Sequence, residues 1–114
     1  MIVDLAHNDD DRARYRAALE ELIAFDLARG TPTVLVLEPD SPEDVSPNTL
    51  PNHAIAREVG ARTGTPVVDM MARLSAEPDA GFLWWDGVHL TSFGQRRFAA
   101  ILSEELRRLG IPSR

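Results

Sequence analysis

Asp86 and His89 stand three residues apart in the stretch Trp84-Trp85-Asp86-Gly87-Val88-His89-Leu90-Thr91. This is a short Gly-containing loop just ahead of a strongly helical segment. The spacing lets a carboxylate and an imidazole project from one loop into one site. There the Asp can fix the tautomer of the His, and the His can act as a general base. The expected chemistry is hydrolytic, and the open question is the nucleophile. The chain has no Cys, so neither a thiol nor a Cys-ligated metal can serve. His7, His53 and His89, taken with Asp9 or Asp86, match no metal-ligand spacing, and His53 reads as a solvent or capping residue early in a helix. No metal and no cofactor are expected.

The elements that must position this loop alternate. Ile2, Val3 and Leu5 form an apolar run that ends at His7-Asn8-Asp9. A helix is expected from about Asp10 to Arg29, with acids at its positive end and Tyr15, Leu19, Leu22 and Ile23 on one face. Thr33 to Leu37 is β-branched and aliphatic without alternation, the mark of a strand buried on both faces. Glu38 to Asn48 reads as a loop whose acids, Glu38, Asp40, Glu43 and Asp44, are solvated. A second helix runs from near Pro51 to Thr63 with Ile55 and Val59 inward, and Pro66 to Met70 is the third strand. A short helix through Leu74 and the loop from Ala76 to Leu90 follow. Ser92 with Gln95 suggests a capping box for the last helix, striped by Phe98, Leu102, Leu106 and Leu109 and closed by Gly110 and Pro112. Alternation of this kind implies a three-layer α/β domain with a parallel sheet. Ligands of such sheets bind beyond the carboxyl ends of the strands, where Asn8 and Asp69 fall. Asn8 reads either as a helix cap or as an amide donor to an oxyanion.

Composition narrows the partners. The 114 residues suffice for one small domain, 1–114, and net charge is −6. That charge argues against nucleic acid and anionic membranes. No run reaches membrane-spanning length and no signal-peptide pattern opens the chain, so the compartment is the cytoplasm by default.

Asp86-Gly87-Val88-His89-Leu90-Thr91, followed by Gly94, resembles the last conserved block of the SGNH (GDSL-type) hydrolases. Ala6-His7-Asn8-Asp9 resembles that family's Gly-x-Asn-Asp block, with Ala for Gly. The resemblance covers essentially the whole chain, as the C-terminal half to two-thirds of such a domain. It implies a flavodoxin-like sheet and hydrolysis or transfer of an acyl ester without metal. In it His89 is the base, Asp86 the orienting carboxylate and Asn8 an oxyanion donor, with Trp84 and Trp85 beside the substrate.

The family's nucleophilic Ser lies in a Gly-Asp-Ser block, and none of Ser41, Ser46, Ser75, Ser92, Ser103 and Ser113 follows Gly-Asp. The expectation is therefore a small-molecule ester hydrolase domain that lacks its N-terminal strands and its Ser. The alternative is a non-catalytic α/β module that binds a small ligand or a partner. A sheet so shortened exposes an apolar edge along Ile2 to Leu5 and leaves Val34, Val36 and the last helix partly uncovered. That edge invites a second chain.

Overall fold

Three short β-branched and aliphatic runs form a parallel sheet in the computed structural model, which describes residues 1–6 and 8–111. They are β1 (Ile2–Asp4), β2 (Val34–Leu37) and β3 (Val67–Asp69), hydrogen-bonded in the order β1-β2-β3. Ile2 lies opposite Val34, Val3 opposite Leu35 and Asp4 opposite Val36. The Leu35 N–H donates to the Pro66 carbonyl at 2.9 Å, just ahead of β3. Helices α1 (Arg12–Ala28) and α2 (Thr49–Thr63) separate the strands, and α3 (Met70–Ser75) and α4 (Ser92–Arg108) follow, with one 3-10 turn at Ala80–Phe82 between them. The fold class is mixed α/β, as the alternation predicts. The chain forms two compact units, Met1–Glu38 with Pro47–Val68, and Pro39–Ser46 with Asp69–Arg114.

In the first unit, α1 starts where its cap dictates. The Asp11 carboxylate accepts the Arg14 N–H at 3.0 Å, so the helix opens at Arg12 and not at Asp10. Tyr15, Leu19 and Ile23, four apart, bury one stripe against Val3, Leu35, Leu37, Ala56 and Val59. Each fully buried aliphatic of this set contributes about 1.5–3 kcal/mol by removal from water. All four residues of β2 are buried, Val34 and Val36 included, so the expected gap over those two does not exist. β1 does lie at an edge of the sheet, with Ile2 and Leu5 about half exposed.

Helix α2 corrects two expectations. It begins at Thr49, ahead of Pro51, which a first turn tolerates. Its inward face carries Asn52, His53, Ala56, Val59 and Gly60, so His53 is buried and not a solvent contact, while Ile55 is only partly buried. The acidic stretch after β2 is also less solvated than its composition suggests. Glu38 is half-buried and accepts the Ala6 N–H at 2.6 Å.

In the second unit, Met70, Leu74, Leu83 and Ile101 are buried. Asp40 is buried there too, accepting the Ser46 N–H at 2.8 Å, and only Glu43 and Asp44 of the expected acids are exposed. Arg97 donates to Glu77 at 2.8 and 2.5 Å, tying α4 to the segment after α3. The cap of α4 is Thr91, not Ser92. Thr91 has extended backbone and its hydroxyl accepts the Gly94 N–H at 3.0 Å, whereas Ser92 is the first helical residue and exposed. Within the expected stripe, Phe98, Leu102 and Leu106 are half-buried and Leu109 is exposed, while Gly94 and Ile101 are the buried positions. His7 and Pro112 lie outside the described residues.

Tyr15 generates a pH prediction. Its hydroxyl donates to the Leu5 carbonyl at 2.5 Å. Burial first, then the charges of Asp9, Glu38 and Asp4, push the phenol from its ordinary 10.0 up to about 12. A folded pKa above the unfolded one gives stability that is whole below pH 10 and is lost as pH rises through about 12. Urea unfolding at neutral pH and at steps across that alkaline window should show this loss. Tyr15→Phe should lack the alkaline step and start about 1 kcal/mol lower, for the lost hydrogen bond. An unchanged alkaline step in the variant would assign the loss to another group.

Candidate active site

The Asp86 carboxylate organises its own loop. One oxygen, Oδ1, accepts the backbone N–H of Val88 at 2.9 Å and that of His89 at 2.8 Å. Nδ1 of the His89 ring lies 3.0 Å from Oδ1 and 2.9 Å from Oδ2. An ionised carboxylate only accepts, so a neutral ring must carry its proton on Nδ1. That leaves Nε2 as a free lone pair, the form a general base requires. The carboxylate stays ionised throughout ordinary pH. The Val88 N–H first, then the His89 ring and the His89 N–H, hold its pKa at about 2, against the usual 3.8. Both side chains are open to solvent, at 56% exposure for Asp86 and 74% for His89, so a substrate can reach them without a rearrangement.

The loop is held from both ends. Trp84 and Leu90 form an antiparallel bridge, and the Trp85 N–H donates to the His89 carbonyl at 2.8 Å. The Ser41 N–H donates to the Gly87 carbonyl at 2.8 Å. Beyond Leu90, the Thr91 N–H donates to the Leu83 carbonyl at 2.8 Å and the Thr91 hydroxyl to the Phe82 carbonyl at 2.8 Å. Gly94 permits this closure. A Cβ there would fall far inside van der Waals contact with the Leu83 carbonyl oxygen, which is backbone and cannot swing away.

Two cavities adjoin the loop, and Trp85 walls both. One, of about 480 Å³, is lined by Glu43, Asp44, Trp84, Trp85 and Asp86, with Ser41 at its wall. Its three carboxylates disfavour an anionic occupant. The other, of about 620 Å³, is lined by Phe82, Trp85 and Phe93 together with Asp79, Thr91 and Ser92. Asp44 packs directly on Gly87, where a side chain would displace it. Among the described residues no group of three or more His, Cys, Asp or Glu is arranged to hold a metal ion.

The structure therefore brings Asp86, His89, Trp84 and Trp85 together in one loop of the second unit. Asn8 belongs to the first unit and is exposed; the cap of α1 is Asp11 and not Asn8. The segment around Asn8 is pinned by residues that sequence reading passed over. The Asn52 amide donates to the carbonyls of Ala6 and Asp9, each at 2.8 Å. Arg12 donates to the Asp9 carbonyl at 2.5 Å and to Asn48 at 2.9 Å. Asn52 carried one weak signal, a polar residue on the apolar stripe of a helix. Asp69, the other rim residue, caps α3 through the Ala72 N–H at 2.9 Å.

No family model and no curated protein matches the sequence. Among solved structures, a lipase/acylhydrolase from Enterococcus faecalis is similar, with 25% sequence identity and a TM-score of 0.68. The match covers 87% of this chain and 53% of that one, so this chain spans about half that protein's length.

Two measurements check the site. In an NMR titration of the Asp86 carboxylate, the midpoint should fall at about 2. His89→Ala should raise it only part of the way to 3.8, because the Val88 N–H contributes most. A depressed pKa means that this contribution to loop order is complete above pH 3.8 and is lost as pH falls through about 2. Full recovery to the usual value in His89→Ala would mean that the ring alone holds the carboxylate. Separately, Gly94→Ala should destabilise the fold by about 1–3 kcal/mol in urea melts, the ordinary penalty of overpacking. A neutral outcome would mean that the Leu83 carbonyl yields.

Proposed function

We propose that this chain carries the base and orienting carboxylate of an SGNH-type serine esterase or acyl hydrolase. His89 accepts, at Nε2, the proton of an attacking hydroxyl. Asp86 holds the ring and stabilises the imidazolium that forms. Trp84 and Trp85 stand beside the ester. The observation that carries this reading is the exposed Asp86–His89 pair, in which Nδ1 is taken by the carboxylate and, in the neutral ring, Nε2 is left as the lone pair. The likeness to a lipase/acylhydrolase supports it at the level of the reaction class.

No serine here follows Gly-Asp, so the attack step lacks the family's hydroxyl within this sequence. That absence favours a second reading, a non-catalytic module that binds an ester-like ligand at the same loop.

The test is hydrolysis of a short-chain nitrophenyl ester by the purified chain. A site without its nucleophile retains only residual catalysis, about 10³–10⁴-fold over water in well-studied triads. The expected result is slow turnover at or below that level, and its excess over background should vanish in His89→Ala. Equal rates in the wild type and His89→Ala would favour the binding module. Fast turnover with fluorophosphonate labelling of one serine would identify a nucleophile within the chain, and Ser41 is the first to inspect because it lines the cavity beside Asp86.

A further inference from the structure

Gly87 is a glycine for a reason outside its own turn. Among the described residues the glycines with positive φ are Gly30, Gly64 and Gly110, so the backbone at Gly87 would accept a side chain. Its neighbour would not. A Cβ there would meet the Asp44 side chain along its length, at Oδ2, at Cγ (2.8 Å) and at Cβ (3.0 Å). Turning the carboxylate aside relieves the first two contacts and leaves the third. We propose that the 41–44 turn is a clamp on the turn that carries the dyad, and that Asp44 is a positioning residue for Asp86 and His89. The assignment rests on the esterase reading of that dyad, because Asp44 reaches the reaction only through it.

Three observations carry it. First, the clamp is braced on its own. Ser41-Pro42-Glu43-Asp44 has Ser at the first position of a β-turn and Pro at the second, where each is favoured. The Asp44 N–H donates to the Ser41 carbonyl at 3.1 Å, and the Ser41 hydroxyl accepts the Glu43 N–H at 3.4 Å. The buried Asp40 accepts the Ser46 N–H at 2.8 Å and ties the two ends of the segment together.

Second, the clamp grips one particular peptide group. The Ser41 N–H donates to the Gly87 carbonyl at 2.8 Å. That carbonyl shares a planar peptide with the Val88 N–H, which donates to Oδ1 of Asp86 at 2.9 Å. A bond at the oxygen end of the peptide fixes the plane of the donor at its nitrogen end. It also polarises that N–H into a stronger donor. The same N–H is the largest contribution to the acidity of Asp86. The path is continuous, from Ser41 through the peptide to the Asp86 carboxylate and on to Nδ1 of His89.

Third, the grip has two points. A peptide held by one hydrogen bond can pivot about it. The Asp44 side chain, seated over the Cα of Gly87, supplies a second contact that blocks the pivot. All of these residues belong to the second unit. Such positioning matters because a misplacement of about 1 Å can cost on the order of 10²-fold in rate.

The test reads the dyad directly in the whole chain. NMR of nitrogen-labelled His89 shows which ring nitrogen carries the proton, and a titration follows the Asp86 carboxylate. In Gly87→Ala the form protonated on Nδ1 should lose population, and the Asp86 midpoint should rise from about 2 toward 3.8. Adding Asp44→Ala should undo most of both changes, because it removes Oδ2 and Cγ from the space the new methyl needs. Asp44→Ala alone should move both readouts less, in the same direction as Gly87→Ala. Loss of a neighbouring negative charge would by itself lower the midpoint, so the direction separates packing from charge. Asp44→Asn, with the same shape and no charge, should keep the Nδ1-protonated form. Thermal melts verify folding. Asp44 is exposed, so its variants carry the test even if Gly87→Ala fails to fold.

Wild-type tautomer and midpoint in Gly87→Ala and in Asp44→Ala would overturn the proposal. A change in Gly87→Ala that Asp44→Ala does not reverse would overturn it and place the cause in Gly87 alone. A midpoint that falls in Asp44→Ala and Asp44→Asn alike would overturn it in favour of a charge effect. The two readings fail separately. His89-dependent hydrolysis of a nitrophenyl ester should fall in Gly87→Ala by up to about 10²-fold in kcat, with KM little changed, and recover in the double variant. A dyad that responds as expected without any His89-dependent hydrolysis removes the esterase reading and leaves the clamp. His89-dependent hydrolysis with an unresponsive dyad removes the clamp alone.

Discussion

One carboxylate sets the geometry on which the site depends. Asp86 takes two backbone N–H groups of its own loop and the ring N–H of His89, and does so while exposed to water. The backbone bonds close the turn and set where the ring leaves the chain. The ring bond selects the tautomer. Because the strongest contribution to its acidity comes from the Val88 N–H, the carboxylate stays ionised whether or not the imidazole is charged. The orienting group therefore keeps its charge when the ring takes up a proton.

The rest of the second unit serves that turn by holding its ends. Leu83, fully buried, receives the Thr91 N–H, and Gly94 allows the helix start to sit against the Leu83 carbonyl. The loop is thus closed by main-chain bonds at the Trp84–Leu90 bridge and at Leu83–Thr91, and α4 begins where the closure ends. The same closure sets out Phe82, Trp85 and Phe93 around one groove.

In the first unit the corresponding device is a set of side chains that satisfy main-chain groups after β1. Glu38, Asn52, Tyr15 and Arg12 between them engage Ala6, Leu5 and Asp9. Asn8 stands in the middle of this pinned segment with its own side chain exposed. Burying Asn52 is tolerable because its amide donates to two carbonyls, those of Ala6 and Asp9.

The sequence by itself determined the elements whose cause is local. Alternating strand and helix patterns fixed the parallel α/β class, the Tyr15–Leu19–Ile23 stripe fixed the inner face of α1, and the Asp-x-x-His spacing fixed the dyad, because a three-residue turn is a local event. It misplaced features settled by competition between neighbours. Thr91 and Ser92 are both good caps, and the hydroxyl that faces the Gly94 N–H is chosen by where the loop arrives from Leu83. The acids Asp40 and Glu38 read as solvated because nothing in their composition says which N–H groups will meet them; only folding brings Ser46 and Ala6 to them. His53 and Asn52 are core residues because they share the face of α2 that carries Ala56, Val59 and Gly60, and which face turns inward is settled by packing. The aromatic groove was invisible for the same reason. Phe82, Trp85 and Phe93 have no shared period along the chain, and only the tertiary closure of the Leu83–Thr91 loop sets them around one space.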